Sequence, residues 1–231
     1  MPAGCCVAQN NQDGRRMGKK GIPEIVIERL PRYYRCFRAL RGKREKISSQ
    51  ELAAEMHTSA SQIRLDLSHF GGFRLQGYGY NVEELHARLG EILGVDQTQY
   101  YVIAGAGRLG RAIANFPVFQ EVGFTLAGIF DIDDAVIGQD IGGVRVSPVE
   151  GLAAFLAEHP VRIGIITTPA EAAPGVADVF RAAGVGGILN FAPVDIAPTD
   201  DMPVTNIHLT DRLLSLSWRI MNRERGQDDT R

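Results

Sequence analysis

The stretch QYYVIAGAGRLGRAIAN, residues 99–115, decides the fold of the C-terminal half of this 231-residue chain. It begins with an apolar run, 100–104, rich in aromatic and β-branched residues and typical of a buried strand. Glycines follow with the spacing G-x-G-x-x-G, and apolar residues then recur at helical intervals. A strand, a glycine-rich turn and a helix together predict a site for the phosphates of a dinucleotide.

Each glycine has its own reason to occur in such a site. Gly105 permits the tight turn, Gly107 lets the backbone approach a pyrophosphate, and Gly110 lets the helix pack closely on its strand. The spacing also occurs by chance in glycine-rich turns. We predict that the whole turn contacts the cofactor, which assigns Gly105, Ala106, Gly107, Arg108, Leu109 and Gly110.

A second apolar run, 124–130, ends on Asp131, about 20 residues beyond the glycines. An acid at this distance accepts hydrogen bonds from the ribose hydroxyls of NAD(H) and repels the 2′-phosphate of NADP(H). The sequence therefore predicts NAD(H) as the cofactor, with Asp131 and the adjacent Ile132 at its ribose.

Downstream, apolar runs alternate with helical patterns, which predicts an α/β fold with a parallel sheet. The expected elements are strands at 144–146, 161–166 and 187–191 and helices at 149–156 and 170–183. Thr167, Thr168, Pro169 and Asn190 lie at carboxyl ends of strands, where α/β sheets bind ligands. The alternative is that they serve only the turns beside Pro169 and Pro193.

The N-terminal half is basic. Residues 1–94 contain 15 Lys and Arg against 10 Asp and Glu, a net charge of +5, whereas residues 95–231 contain 10 against 17, a net −7. The two values sum to the overall −2. A basic N-terminal half favours a polyanion as its binding partner. The simpler alternative is that these basic residues only form the solvent-exposed face of a helix.

Two short helices with capping motifs follow each other in this basic half. The motif SSQE at 48–51 is a capping box, SASQ at 59–62 is a possible second one, and only a tight turn fits between the helices. They follow a helical pattern at 23–40, which Pro31 either kinks or divides. This arrangement predicts a helix-turn-helix.

A hairpin and a further helix complete a predicted winged helix. The segment 73–80 contains two turn-forming glycines and is expected to form the wing, and a helix is expected from Asn81 to Leu93. Residues 1–20 are polar and non-periodic, which predicts a disordered tail.

The C-terminal helix and the composition limit where the protein is expected to act and what it is expected to bind. A helix at 210–221 is apolar around most of its circumference and needs another surface, either its own sheet or a partner subunit. We find neither a membrane-spanning run nor a signal peptide, and three cysteines make no disulfide framework. We therefore expect a cytoplasmic protein that binds no membrane and no metal.

The chain resembles the Rex family of redox-sensing transcriptional repressors from Ile22 to about residue 216. The motifs that carry the resemblance are IP at 22–23, RLP at 29–31, SSxxL at 48–52, QIRxDxS at 62–68, FG at 70–71, GxGY at 77–80, the glycine turn, FD at 130–131, PAEAA at 169–173 and NFAP at 190–193. The resemblance implies a homodimer that binds double-stranded operator DNA with an inverted repeat. It also implies NAD(H) as cofactor, with NADH favouring release of the DNA.

The resemblance also implies the domain organisation and the DNA-binding residues. The segments are a disordered tail (1–20), a winged-helix DNA-binding domain (21–94), a Rossmann NAD(H)-binding domain (95–209) and a domain-swapped C-terminal helix (210–231). The implied DNA-binding residues are Lys43, Lys46, Ser61, Gln62, Arg64, Leu65, Ser68 and Arg74. Leu65 replaces a lysine of the family's recognition helix, and Leu75 and Gln76 replace basic residues of its wing. Fewer cations weaken phosphate contacts and can change the operator.

In the family, an arginine, a tyrosine and an acid form a redox-dependent contact. Arg35, Phe116 and His208 occupy these positions here, so a hydroxyl and a carboxylate are missing. No His or Lys forms an acid/base constellation, so we expect a sensor and no catalytic residues. Three alternatives stay open: a divergent Rex-like paralogue with an altered operator or weak redox response, an NAD-dependent oxidoreductase with an accessory helical domain, and an interaction module that does not bind DNA.

Overall fold

The computed structural model describes residues 22–70 and 79–228, and two compact units meet in sequence between Leu93 and Gly94. The first unit is mainly helical and the second is α/β. The expected tail and most of the expected wing, including Arg74, lie outside the described residues. Within those residues, no helix has the length and apolar character needed to cross a membrane.

The described part of the N-terminal unit contains short helices and one two-stranded ladder. Its elements are α1 (Glu24–Ile27), α2 (Leu30–Leu40), β1 (Lys46–Ile47), α3 (Ser49–Met56), α4 (Ala60–Ser68), β2 (Tyr80–Asn81) and α5 (Val82–Leu93). Pro31 lies in the first turn of α2, where its missing N–H costs no hydrogen bond, so the pattern at 23–40 forms two helices. β1 and β2 pair antiparallel, a ladder that the sequence analysis missed because two-residue strands show no alternation.

The helix starts follow their capping residues. Ser48 Oγ accepts a hydrogen bond from Glu51 N, and the Glu51 carboxylate accepts one from Ser48 N, which completes the predicted capping box. Ser59 Oγ likewise accepts from Gln62 N. Asn81 Oδ1 accepts from Glu84 N at the start of α5. These caps satisfy N–H groups that have no partner inside their own helix.

The second unit is a seven-stranded sheet with helices. Its elements are β3 (Gln99–Ala104), α6 (Arg108–Ala114), α7 (Pro117–Glu121), β4 (Phe124–Asp131), β5 (Asp140–Ile141), β6 (Val144–Pro148), a 3-10 turn (Val149–Gly151), α8 (Leu152–Glu158), β7 (Val161–Ile166), α9 (Ala173–Ala182), β8 (Gly187–Asn190), β9 (Val204–Asn206) and α10 (Leu209–Asp228). The strand order is β5-β6-β4-β3-β7-β8-β9, and every pair is parallel except β5 with β6. The strand order therefore reverses between β3 and β7, which opens a crevice at their carboxyl ends.

Several details of the second unit differ from the sequence expectations. α9 begins at Ala173 rather than at residue 170, because Pro169 to Ala172 form a turn closed by the bond from Ala172 N to Pro169 O. The helix expected at 149–156 is divided into a 3-10 turn and α8. The short elements α7, β5 and β9 carry no pattern that the sequence analysis detected.

The described side chains of α10 are exposed along the helix. Its large apolar residues have exposed fractions between 46% and 69%, and they are Leu209, Leu213, Leu214, Leu216, Trp218, Ile220 and Met221. Of the two surfaces that the sequence allowed, the chain's own sheet does not cover this helix.

Candidate functional site

The crevice between β3 and β7 is an open cavity of about 270 Å³. Seven of the predicted cofactor residues line it: Gly105, Gly107, Asp131, Ile132, Thr167, Thr168 and Pro169. Further lining comes from residues that the sequence analysis did not assign to the cofactor, including Phe130, Asp133, Val149, Ala172 and Val176. Most of these are apolar residues next to strand ends, and only the sheet topology shows that they share one wall.

The three glycines differ in what surrounds them. Gly105 has a φ of +103°, and a Cβ there would lie 2.8 Å from the carbonyl carbon of Thr167. A Cβ on Gly110 would overlap the carbonyl oxygen of Gly105. At Gly107 a Cβ would meet nothing within 4 Å. Gly105 and Gly110 are therefore required by the protein's own packing, whereas the space beside Gly107 is open to a ligand.

Asp131 ties the end of β4 to the glycine turn. Its Oδ2 accepts a hydrogen bond from Ala106 N, and its Oδ1 accepts from Ile132 N at 2.7 Å and Asp133 N at 2.9 Å. The carboxylate is half-buried and lines the cavity. It therefore presents a carboxylate with acceptor oxygens to the cavity, which suits ligand hydroxyl groups and opposes a phosphate.

The two threonines after β7 have different tasks. The Thr167 hydroxyl donates to the carbonyls of Gly105 (2.7 Å) and Ala104 (3.1 Å), which fixes the glycine turn. Thr168 Oγ1 is buried and has no hydrogen-bond partner among the described residues. A buried hydroxyl without a partner costs free energy, so Thr168 is the group of this cavity best placed to bond a ligand.

Asn190 does not line the cavity. It is fully buried, and its amide nitrogen donates to Val194 O (2.7 Å) and Asn206 Oδ1 (2.8 Å). Its Oδ1 accepts from Ala192 N (3.0 Å). The amide therefore holds the loop after β8, which agrees with the alternative that Asn190 serves only a turn.

Four predicted residues of the glycine turn are also absent from the lining of the cavity: Ala106, Arg108, Leu109 and Gly110. Of these, Arg108 and Leu109 are exposed on the first turn of α6.

In the N-terminal unit, α4 has one buried and one exposed side. Ile63, Asp66 and Leu67 are buried. The residues of the opposite side are exposed, and we call them the outward face of α4: Ser61, Arg64, Leu65 and Ser68. Lys43 and Lys46 are also exposed, in the turn after α2 and in β1. These predicted DNA-binding side chains are therefore accessible.

Two serines orient the guanidinium of Arg64. Its Nη1 donates to Ser49 Oγ at 2.9 Å, and its Nη2 donates to Ser61 Oγ at 3.3 Å. Ser49 belongs to α3 and Ser61 to α4, so the guanidinium bridges the two helices of the helix-turn-helix. The guanidinium is therefore held in one orientation in the absence of any ligand.

Gln62 differs from the other predicted DNA-binding residues, because its Nε2 donates to Asp66 Oδ1 at 2.7 Å. Asp66 is fully buried and also accepts from Arg29 Nε and Nη2 and from Tyr33 OH, each at 2.7 Å. Burial alone would raise the pKa of Asp66, but the bonds from Arg29, Tyr33 and Gln62 outweigh it and lower the pKa. We call this group the Asp66 network, and it joins the start of α2 to α4.

Comparison with known proteins decides the family. One family model, described as a putative DNA-binding protein N-terminus, matches residues 21–68, and another, described as a CoA binding domain, matches residues 96–194. The redox-sensing transcriptional repressor Rex of Caldanaerobacter subterraneus subsp. tengcongensis is 46% identical over 210 residues, which cover 90% of this chain and 94% of the relative. This chain belongs to the Rex family. The resemblance inferred from the motifs is therefore confirmed, and so is the function of the family, redox-sensing repression of transcription.

Solved structures of a Rex-family repressor, RSP, share the fold. RSP in complex with β-NAD+ and operator DNA matches with a TM-score of 0.83 and 45% identity, covering 90% of this chain and 96% of RSP. RSP in complex with β-NADH matches with a TM-score of 0.81 and 43% identity, covering 91% and 99%. The expected α/β fold, with an N-terminal DNA-binding region and a Rossmann-type parallel sheet, is confirmed.

Of the three positions to which the resemblance assigns the redox contact, Phe116 and His208 have contacts that the sequence did not reveal. Arg35 is exposed on α2, and Phe116 caps α7 with its ring edge-to-face against Phe119. His208 Nε2 lies 2.7 Å from Asp195 Oδ1, and this hydrogen bond raises the pKa of His208. Asp195 therefore supplies a carboxylate beside His208, and the positive charge of the protonated imidazole is compensated locally.

Proposed function

We propose that this Rex-family chain binds operator DNA through α4 and binds NAD(H) in the cavity between β3 and β7, with NADH favouring release of the DNA. The match to RSP over 90% of the chain carries the proposal, because RSP has been solved with NAD+ and operator DNA together. The lining of the cavity supports it, since Asp131 and Thr168 offer groups that suit a ribose and a further polar atom of the cofactor.

The test uses the full chain and duplexes from its own upstream DNA. Fluorescence anisotropy with saturating NAD+ or NADH should show sequence-specific binding that NADH weakens. Calorimetry should show tighter binding of NADH than of NADPH, and Asp131→Ala should weaken NADH binding because ribose acceptors are lost. Equal or tighter NADPH binding by the parent would contradict the cofactor assignment.

We further propose that the chain is a sensor without catalytic turnover. In the described lining of the cavity, the polar side chains are two aspartates and two threonines, with no His, Lys, Cys or Tyr to transfer a proton. The alternative, an NAD-dependent oxidoreductase, predicts consumption of NADH. We expect no change in absorbance at 340 nm, relative to a control without protein, when the chain is incubated with the nicotinamide cofactor and small hydroxy acids, aldehydes or ketones.

The functional unit that we propose is a homodimer with α10 exchanged between subunits. The exposed apolar side chains of α10 support this, since a helix of this kind requires a covering surface. Light scattering should give the mass of a dimer. Because a repressor acts at the chromosome, we place it in the cytoplasm, and the free thiol of Cys36 suits a reducing compartment.

We also propose that NADH controls this repressor less strongly than a Rex protein with the usual switch residues. Phe116 lacks the tyrosine hydroxyl, and His208 is engaged with Asp195. Phe116→Tyr combined with His208→Asp should enlarge the difference in operator affinity between saturating NAD+ and NADH, because it restores a contact made in only one state. A large NADH effect in the parent that the double variant leaves unchanged would place the coupling elsewhere.

A further inference from the structure

We propose that Leu65 reads thymine in the operator by packing against the C5-methyl group in the major groove. The inference rests on the proposed binding of operator DNA by α4. Leu65 is 58% exposed near the middle of α4, on its outward face. The remaining members of that face are two serines and an arginine, so Leu65 is its apolar member.

The position of Leu65 follows from the core. Ile63, Asp66 and Leu67 fix the buried side of α4, and the outward face lies opposite at the helical spacing. In a helix-turn-helix, the second helix enters the major groove and directs such a face at base edges. Leu65 therefore approaches the bases when α4 binds DNA.

The polar neighbours of Leu65 already have protein partners. The Arg64 guanidinium bonds Ser49 and Ser61, and Ser68 Oγ donates to the carbonyl oxygen of Leu65 at 2.7 Å. The Leu65 side chain itself has no such engagement and stays open to solvent. On binding, it is the part of this face that loses water without gaining a hydrogen bond.

The chemistry of the groove then selects the base. Donors and acceptors of all four bases occupy the major groove, and the thymine C5-methyl is the apolar group among them. Packing leucine on an amine or carbonyl would desolvate that group without a bond in return. Packing leucine on a methyl group removes apolar surface of both groups from water. The burial of one methyl group should raise the affinity for DNA about fourfold.

The experiment uses the full chain and a duplex that the chain itself enriches from a random-sequence pool. Each thymine of the enriched duplex is replaced singly by deoxyuridine, which keeps base pairing and deletes only the methyl. We expect one thymine in each half-site whose replacement lowers affinity about fourfold by fluorescence anisotropy, and about sixteenfold when both are replaced, since distant sites add. Thymines outside the half-sites are the matched control probes.

Two variants assign the effect to the side chain. Leu65→Ala should bind the thymine and deoxyuridine duplexes equally, and thermal unfolding should confirm that it is folded, since an exposed leucine contributes little to stability. Leu65→Lys should also lose the methyl dependence and should steepen the salt dependence of binding, because it adds a cation near the phosphates.

The outcomes separate this inference from the proposed function. If the parent enriches no sequence, the proposed operator binding is wrong, and the inference is wrong with it. If the parent enriches a sequence whose thymines can all be replaced without loss, Leu65 faces a protein partner or solvent, and only the inference is wrong. The inference alone is likewise wrong if the Leu65→Ala variant loses as much affinity as the parent when thymine is replaced by deoxyuridine.

Discussion

The substitution Asp66→Asn removes a buried carboxylate. It should destabilise the DNA-binding unit more than the loss of any exposed ion pair described in that unit. Asp66 accepts four hydrogen bonds, two of them from Arg29. Asparagine keeps one acceptor oxygen and turns an NH2 group towards other donors, which leaves the guanidinium without its counter-charge. Breaking a buried ion pair costs about 3–5 kcal/mol. Because the Arg29 side chain is 25% exposed and can regain some water, we expect the lower end, about 3 kcal/mol.

Native-state hydrogen exchange with mass spectrometry is the suitable assay, since it reports the opening of individual elements. The single tryptophan, Trp218, belongs to α10 in the second unit, so its fluorescence does not follow α2 and α4 one by one. A loss of about 3 kcal/mol corresponds to exchange in α4 and α2 that is faster by about 100-fold or more.

The matched control is Glu83→Gln, which breaks the exposed pair between Arg41 Nε and Glu83 Oε2, 2.8 Å apart. These two side chains are 49% and 57% exposed, so the expected increase in the exchange rate is at most about fivefold.

The pH dependence gives a second readout, because the pKa of Asp66 is lowered from 3.8 by folding. The carboxylate therefore stabilises the fold above pH 3.8 and loses this effect as the pH falls through the lower folded value, and the asparagine variant lacks that step. An Asp66→Asn protein that exchanges no faster than Glu83→Gln would refute the reasoning.

Three further predictions concern the cofactor turn, the recognition helix and the switch region. Gly110→Ala should lower the unfolding temperature of the ligand-free protein because its Cβ would overlap the carbonyl oxygen of Gly105, whereas Gly107→Ala should leave that temperature unchanged and weaken NADH binding in calorimetry. Arg64→Ala should cost about 1–3 kcal/mol of operator affinity and relax the preference at one base pair, as measured by anisotropy on single-base variants; unchanged affinity and preference would show that α4 does not read bases. The imidazole of His208 should titrate above its ordinary pKa of 6.5 in proton NMR and return towards it in Asp195→Asn, and the bond to Asp195 should weaken as the pH rises through the raised pKa. An identical titration in both proteins would show that the two side chains do not pair in solution.

Local sequence determined the elements that carry function. The glycine spacing after an apolar run and the acid at 131 identified the crossover unit, because strand, turn and helix are each specified within a few residues. Ser48 and Asn81 marked the starts of α3 and α5 for the same reason, since a cap bonds an N–H only two or three residues away. The motifs were specific enough to identify the Rex family before any contact was known.

Tertiary structure alone decided which polar groups are free and which are engaged. Asn190 has the residue type of a ligand-binding group, yet its amide bonds Asn206, 16 positions away along the chain. Arg29 and Tyr33 meet Asp66 across 37 and 33 residues, and His208 meets Asp195 across 13. Hydrogen bonds between distant segments depend on where the whole fold brings those segments together. No local spacing encodes that placement, so the sequence identified the candidate groups, and packing decided which of them remain available to bind cofactor and DNA.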